Sequence, residues 1–136
     1  MRASASLRVG IGLVLLATAV GKFLDVPGFA RVLETYRAFP SWSLAPLAWL
    51  IPIGETALAV WLFSGLFLRG AALASLALHG LYGGWSVVSI ERGLRLSNCG
   101  CFGIFLARPL TWVTVGEDLV MAALSAGLIR LTRKAP

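Results

Sequence analysis

The chain has two cysteines, Cys99 and Cys101, and a single glycine separates them in the run Ser97-Asn98-Cys99-Gly100-Cys101-Phe102-Gly103. Two thiols at that spacing close an intramolecular disulfide only in a small ring, where strain raises the reduction potential and favours exchange over permanence. Gly100 supplies the backbone freedom that closure needs. A structural disulfide stabilises by tying together distant parts of the unfolded chain, and a loop this short constrains almost nothing. The pair therefore reads as reactive, with two alternatives standing beside it. Inert loop cysteines are one. A soft-metal site is the other, although no further Cys and no neighbouring His completes a tetrahedral set, so no metal site is assigned.

Other residues able to do chemistry are few. Glu55 lies in an apolar run, three residues after Pro52. An ionisable side chain inside a membrane span is costly and is a functional candidate by default; a carboxylate paired for packing alone, to Lys22 or an arginine, is the alternative. His79 can relay protons with Glu55 or serve as a neutral hydrogen-bonding residue of the interior. Arg92, Arg95 and Arg108 surround the cysteines, and nearby cations favour the thiolate that attacks disulfides. Lys22 and Asp25 lie where the first apolar run ends.

The elements that position these groups follow from composition. Of 136 residues, 58% are hydrophobic and 13% charged, and the mean hydropathy of +0.85 is that of a membrane protein. At about 20 residues per transmembrane helix there is room for roughly four spans and little beyond their loops. The expected fold is all-α, a single integral-membrane four-helix bundle over residues 1–136, with spans at about 7–24, 44–68, 70–90 and 110–131. A formal charge of +6 does not point to nucleic acid, because the basic residues stand at segment ends instead of forming an aromatic-studded basic face; the lipid bilayer is the better partner.

The first span has the basic flank Arg2 and Arg8; a cleaved signal peptide ending near Ala17-Thr18-Ala19 is the alternative. Between the first two spans, Phe29, Val32, Leu33 and Tyr36 alternate with charges, which suits a short amphipathic helix stopped by Pro40, or a solvated loop packed on the bundle. Pro46 and Pro52 interrupt the second span, and Arg69-Gly70 reads as a basic turn. In the third span, Gly80 and Gly84 have the GxxxG spacing that admits a neighbouring helix, while Ala72, Ser75, His79, Tyr82 and Ser86 form one inward stripe. Glu117 and Asp118 fall at the interface end of the fourth span, as partners for Lys22 or the loop arginines. Arg130, Arg133 and Lys134 form a basic anchor.

Lysine and arginine counts alone do not orient the bundle. Chemistry does: a disulfide-forming pair persists in an oxidising compartment, so the cysteine loop is expected outside and both termini in the cytoplasm.

With those residues placed, the chain resembles the methylamine utilisation protein MauE family, within the DoxX-like group of small four-helix membrane proteins. The matching pieces are Gly21-Lys22-Phe23-Leu24-Asp25, Tyr36-Arg37-Ala38-Phe39-Pro40, Pro52-Ile53-Gly54-Glu55, Arg92-Gly93 and Cys99-Gly100-Cys101-Phe102-Gly103, in the family's order and over nearly the whole chain. The resemblance implies a bacterial inner-membrane protein that helps mature periplasmic methylamine dehydrogenase, a disulfide-rich client, alongside a thioredoxin-like partner. The substrate does not transfer with the fold.

Three functions remain on these residues. The favoured one is a thiol-disulfide redox protein with Cys99 and Cys101 as attacking and resolving thiols, and Glu55, supported by Lys22, Asp25, His79, Arg92 and Arg95, at a buried proton or quinone site. No motif identifies a quinone, so the cofactor stays open. The others are a non-enzymatic membrane assembly factor and a small metal or solute carrier using Glu55, His79 and the thiols.

Overall fold

A computed structural model describes residues 2–133; the expected anchor residue Lys134 lies outside them. The described chain is all-helical: α1 (Arg2–Phe23), α2 (Val26–Thr35), α3 (Ser41–Ser64), α4 (Leu68–Glu91) and α5 (Trp112–Arg133). Four of these, all but α2, are long and apolar enough to cross a membrane. Only 22–33% of each spanning segment is buried inside the protein, and large apolar side chains such as Leu13, Leu50, Val60, Leu81 and Leu119 face outward. Such a surface suits lipid and would be untenable in water. The protein is a multi-pass membrane helical bundle.

The four long helices run alternately up and down. α1 packs chiefly on α3, and α4 on α5; thinner α1–α5 and α3–α4 contacts join the two pairs. An apolar core built on Ile11, Leu15, Leu58, Leu62 and Leu128 fills the end of the bundle that holds the start of α1 and the end of α5. At the other end come together the C-terminal end of α1, all of α2, the start of α3 and the loop between α4 and α5.

α2 is a helix because Asp25 caps it: its Oδ1 accepts the Gly28 N–H at 2.7 Å, and Pro27 occupies the first turn. Its apolar face, Val26, Phe29, Val32 and Leu33, is buried on α3 around Ala48. The amphipathic segment thus packs on protein, not only on lipid.

Helix ends differ from the sequence expectation in a few places. The turn between the second and third spans falls at residues 65–67, so Arg69-Gly70 belongs to the first turn of α4. Side chains set that position: the Ser64 hydroxyl accepts the Leu66 N–H, and the Trp61 indole donates to the Leu66 carbonyl at 2.8 Å. α3 starts at Ser41, directly after Pro40, and α1 already at Arg2. The stripe Ala72, Ser75, His79 and Ser86 is buried, with Tyr82 half-buried, as the helical period requires. Gly80 and Gly84, by contrast, face outward with open space where a side chain would be. Gly83 is the glycine that packs inward, against Asp118 of α5.

Candidate thiol site and buried ion pair

The cysteine loop is held shut like a short hairpin. The Cys99 N–H donates to the Arg108 carbonyl at 2.7 Å and Leu110 N–H to the Leu96 carbonyl at 3.0 Å. Asn98 organises the turn, accepting the Gly100 N–H at 2.9 Å and donating to the Gly103 carbonyl at 3.1 Å. Gly100 has φ +79 and lies against Phe29 and Val32 of α2. A side chain there would be strained and crowded.

The loop is docked on α1 by backbone contact. A Cβ at Gly21 would overlap the Phe102 carbonyl, and one at Gly103 would overlap the Gly21 carbonyl. Gly21→Ala is therefore expected to push the loop off α1, costing on the order of 1–3 kcal/mol, read as a lower melting temperature in detergent with faster alkylation of the cysteines. Wild-type melting and labelling would mean that the close approach is unimportant.

This approach delivers the Cys101 carbonyl to Lys22. The lysine is 3% exposed, and its three N–H groups are all used: 2.8 and 2.9 Å to the two oxygens of Glu55, and 3.0 Å to the Cys101 carbonyl. Glu55, 1% exposed, also accepts the Tyr82 hydroxyl at 2.8 Å. The other cysteine carbonyl is held likewise, with Tyr36 Oη donating to Cys99 at 2.7 Å. Burial foremost, and then the nearby sulfurs, raise the Tyr36 pKa, so it stays a donor. The carbonyls of both cysteines are thus fixed from the helical scaffold.

Both cysteines are free thiols with their sulfurs 2.7 Å apart. A disulfide bond is about 2.05 Å long, so closure asks for a movement below about 1 Å. The proton is unevenly shared. The hydrogen bond between the two sulfurs draws the Cys99 pKa down to about 7, against the effect of burial and with help from the field of Arg108. The same bond, with burial, raises the Cys101 pKa. Alkylation of Cys99 is expected to rise through a midpoint near pH 7, against about 8.5 for an ordinary thiol. In Cys101→Ala that midpoint should move back up, and an unmoved midpoint would remove Cys101 as its cause.

Several residues singled out in the sequence lie elsewhere. Arg92 donates to the Tyr36 and Arg37 carbonyls at 3.1 and 3.3 Å, which anchors the end of α2. Arg95 lines an open groove of about 410 Å³ with Arg31 and Asn98. Arg108 is the cation whose field acts on Cys99, while its guanidinium pairs with Glu117 at 2.9 Å. Asp25 is spent on the cap of α2 and a 3.8 Å contact with Arg31. His79 bonds the Ser75 carbonyl at 2.9 Å and is not hydrogen-bonded to Glu55, so the two form no direct relay. Tyr36 and Asn98 hold the loop and Tyr82 holds Glu55, roles that no sequence signal marks. Among the described residues, no three His, Cys, Asp or Glu side chains are grouped to hold a metal ion.

A family model described as methylamine utilisation protein MauE matches residues 1–130. Curated relatives include Methylamine utilization protein MauE of Paracoccus denitrificans, 30% identical over 90% of this chain and 66% of the relative. Those of Methylorubrum extorquens and Paracoccus versutus are 29% and 28% identical, over 91% and 93% of this chain and 67% and 68% of the relatives. The chain thus spans about two thirds of the length of the proteins it matches. No solved structure matches.

Proposed function

This chain belongs to the methylamine utilisation protein MauE family, and from that premise we propose that it is a membrane thiol-disulfide protein whose Cys99/Cys101 pair exchanges with a thiol protein outside the cytoplasm. The observation that carries the reading is the thiol pair itself: two sulfurs at 2.7 Å, with the proton drawn to one of them and both flanking carbonyls clamped by Tyr36 and Lys22. Clamped carbonyls keep the turn in the geometry that closes the ring, which lowers the entropic cost of forming the disulfide.

In the exchange, the Cys99 thiolate attacks a partner disulfide, expelling one partner thiolate and forming a mixed disulfide. Cys101 then attacks the Cys99 sulfur, releasing the second partner thiolate. The pair ends oxidised and the partner reduced by two electrons; the reverse sequence oxidises a partner dithiol. The immediate partner is a periplasmic thioredoxin-like protein. By the family's name the end served is methylamine utilisation, through maturation of a disulfide-rich client such as methylamine dehydrogenase.

The orientation belongs to the same proposal: bacterial inner membrane, both termini cytoplasmic and the cysteine loop periplasmic, because a cytoplasmic pair would be kept reduced. One experiment addresses redox state and side together. Intact cells are treated with a membrane-impermeant maleimide before and after a brief reduction. Labelling of Cys99 and Cys101 only after reduction is expected. Labelling that needs permeabilised cells would put the loop inside and sink the reading, and full labelling without reductant would show a pair that forms no disulfide.

A further inference from the structure

A disulfide carried on a protein partner reaches this pair only by bringing its flanking chain over the surface beside the Cys-Gly-Cys turn. There a groove of about 410 Å³ runs between α2 and the cysteine loop. Two of its lining residues also seat the turn. Val32 has a methyl group 3.0 Å from where a Gly100 Cβ would stand, and Asn98, which precedes Cys99, accepts the Gly100 N–H at 2.9 Å. A chain bound in the groove is therefore held against the residues that shape the thiol pair.

The groove is basic. Arg31 of α2 and Arg95 of the loop line it together with Thr35 and Ser97, and among the described residues no carboxylate does. The Arg31 side chain is 70% exposed, and its one ionic contact, with Asp25, is 3.8 Å long. Asp25 is itself committed to the α2 cap at 2.7 Å. Arg95, also exposed, makes no hydrogen bond and no ion pair among the described residues. Two neighbouring arginines are engaged instead, Arg92 on the Tyr36 and Arg37 carbonyls and Arg108 on Glu117. Free guanidinium donors contributed from both sides of a cleft match carboxylates, which they bind as bidentate pairs.

We propose that this groove is the docking site for an acidic chain segment that flanks the disulfide of the partner protein, with Arg31 and Arg95 as the residues that select it. The inference rests on the exchange reading above and names the chemistry of the partner. Attraction by the two arginines concentrates and orients the acidic segment, so the effect falls on the rate at which the mixed disulfide forms at Cys99. A lipid phosphate carries the same charge, but it has no need of contact with the Cys-Gly-Cys turn, whereas a protein disulfide has; the position of the groove against that turn favours the peptide.

The test uses the full-length protein, reduced, in nanodiscs of zwitterionic lipid. The probes are three peptides of equal length, each with one cysteine held as a thiopyridyl mixed disulfide and flanked by acidic residues, by serines or by lysines. The Cys99 thiolate attacks the peptide sulfur, forming the Cys99–peptide disulfide and expelling thiopyridone, which is followed by absorbance. The wild-type protein is expected to react on the order of tenfold faster with the acidic than with the serine peptide at low salt, the ratio shrinking as salt is added. Arg31→Gln with Arg95→Gln should bring that ratio close to one, and Arg31→Glu with Arg95→Glu should reverse the order in favour of the lysine peptide. Arg37→Glu, exposed at the same end of the bundle but outside the groove, should keep the wild-type ratio. A wild-type ratio near one, or a ratio that the glutamine variant leaves unchanged, would overturn the proposal. So would a loss as large in Arg37→Glu, which would indicate the general field of the surface, or an equal slowing toward all three peptides in the groove variants, which would indicate a structural role. A wild-type ratio near one, together with loss of co-purifying phosphatidylglycerol in the glutamine variant, would give the groove to a lipid headgroup. If the wild-type protein, with both thiols titratable, releases thiopyridone from none of the peptides, the exchange reading fails and this inference with it.

Discussion

Cys101→Ser is expected to abolish client maturation and to leave its partner covalently attached to Cys99. The serine hydroxyl can still donate to the Cys99 sulfur, so the nucleophile is preserved while the group that resolves the mixed disulfide is gone. A reducible adduct with a thioredoxin-like protein should accumulate and be visible on non-reducing gels. Cys99→Ser should be equally inactive but should trap little, because the remaining thiol is the one whose ionisation burial opposes even without Cys99. An adduct in Cys99→Ser alone would reverse the two roles. Full maturation in both variants and in the double variant would leave a scaffold that needs no thiols, and the assembly-factor reading would take over.

Lys22→Met is expected to be the most damaging single change in the scaffold. It strands the Glu55 carboxylate, 1% exposed, without its cation, and breaking a buried pair from one side costs about 3–5 kcal/mol. It also releases the Cys101 carbonyl. The two losses can be separated. In Lys22→Met with Glu55→Gln the stranded charge is removed, so melting temperature and protein level in the membrane should return most of the way. The cysteine loop, still unclamped, should not regain its function. If the double variant restores maturation as well as stability, the Lys22–Cys101 bond is incidental. Glu55→Gln alone keeps an oxygen for Lys22 and Tyr82 and is expected to fall between these extremes in stability.

How far the sequence could be trusted differs between the spans and the site. The helical class and the four apolar spans follow from composition, because bilayer thickness and the need to satisfy backbone hydrogen bonds inside lipid leave few alternatives. The amphipathic period of residues 29–36 likewise announced α2, and the spacing of Cys99 and Cys101 announced a thiol pair. Glu55 marked itself by being a carboxylate in an apolar run, with Lys22 already named as its alternative partner. In each case the signal is local: a period, a spacing or a charge where charge is expensive.

What the sequence did not determine are choices made by three-dimensional neighbours. Gly80 and Gly84 have the spacing of a packing face, but rotation of α4 against α5 turned Gly83 inward instead. Arg92 and Arg95 precede Cys99 in the chain, yet the hairpin of the loop brings Arg108 to bear on its thiol and sends Arg92 to the end of α2. Tyr36 at the end of α2 and Lys22 at the end of α1 reach the two cysteine carbonyls only because the Gly21–Gly103 contact seats the loop on α1. A charge or hydroxyl acts over a few ångströms and its position is fixed by helix rotation and loop docking, so sequence alone determined which groups are present, and tertiary packing decided which of them reach the thiols.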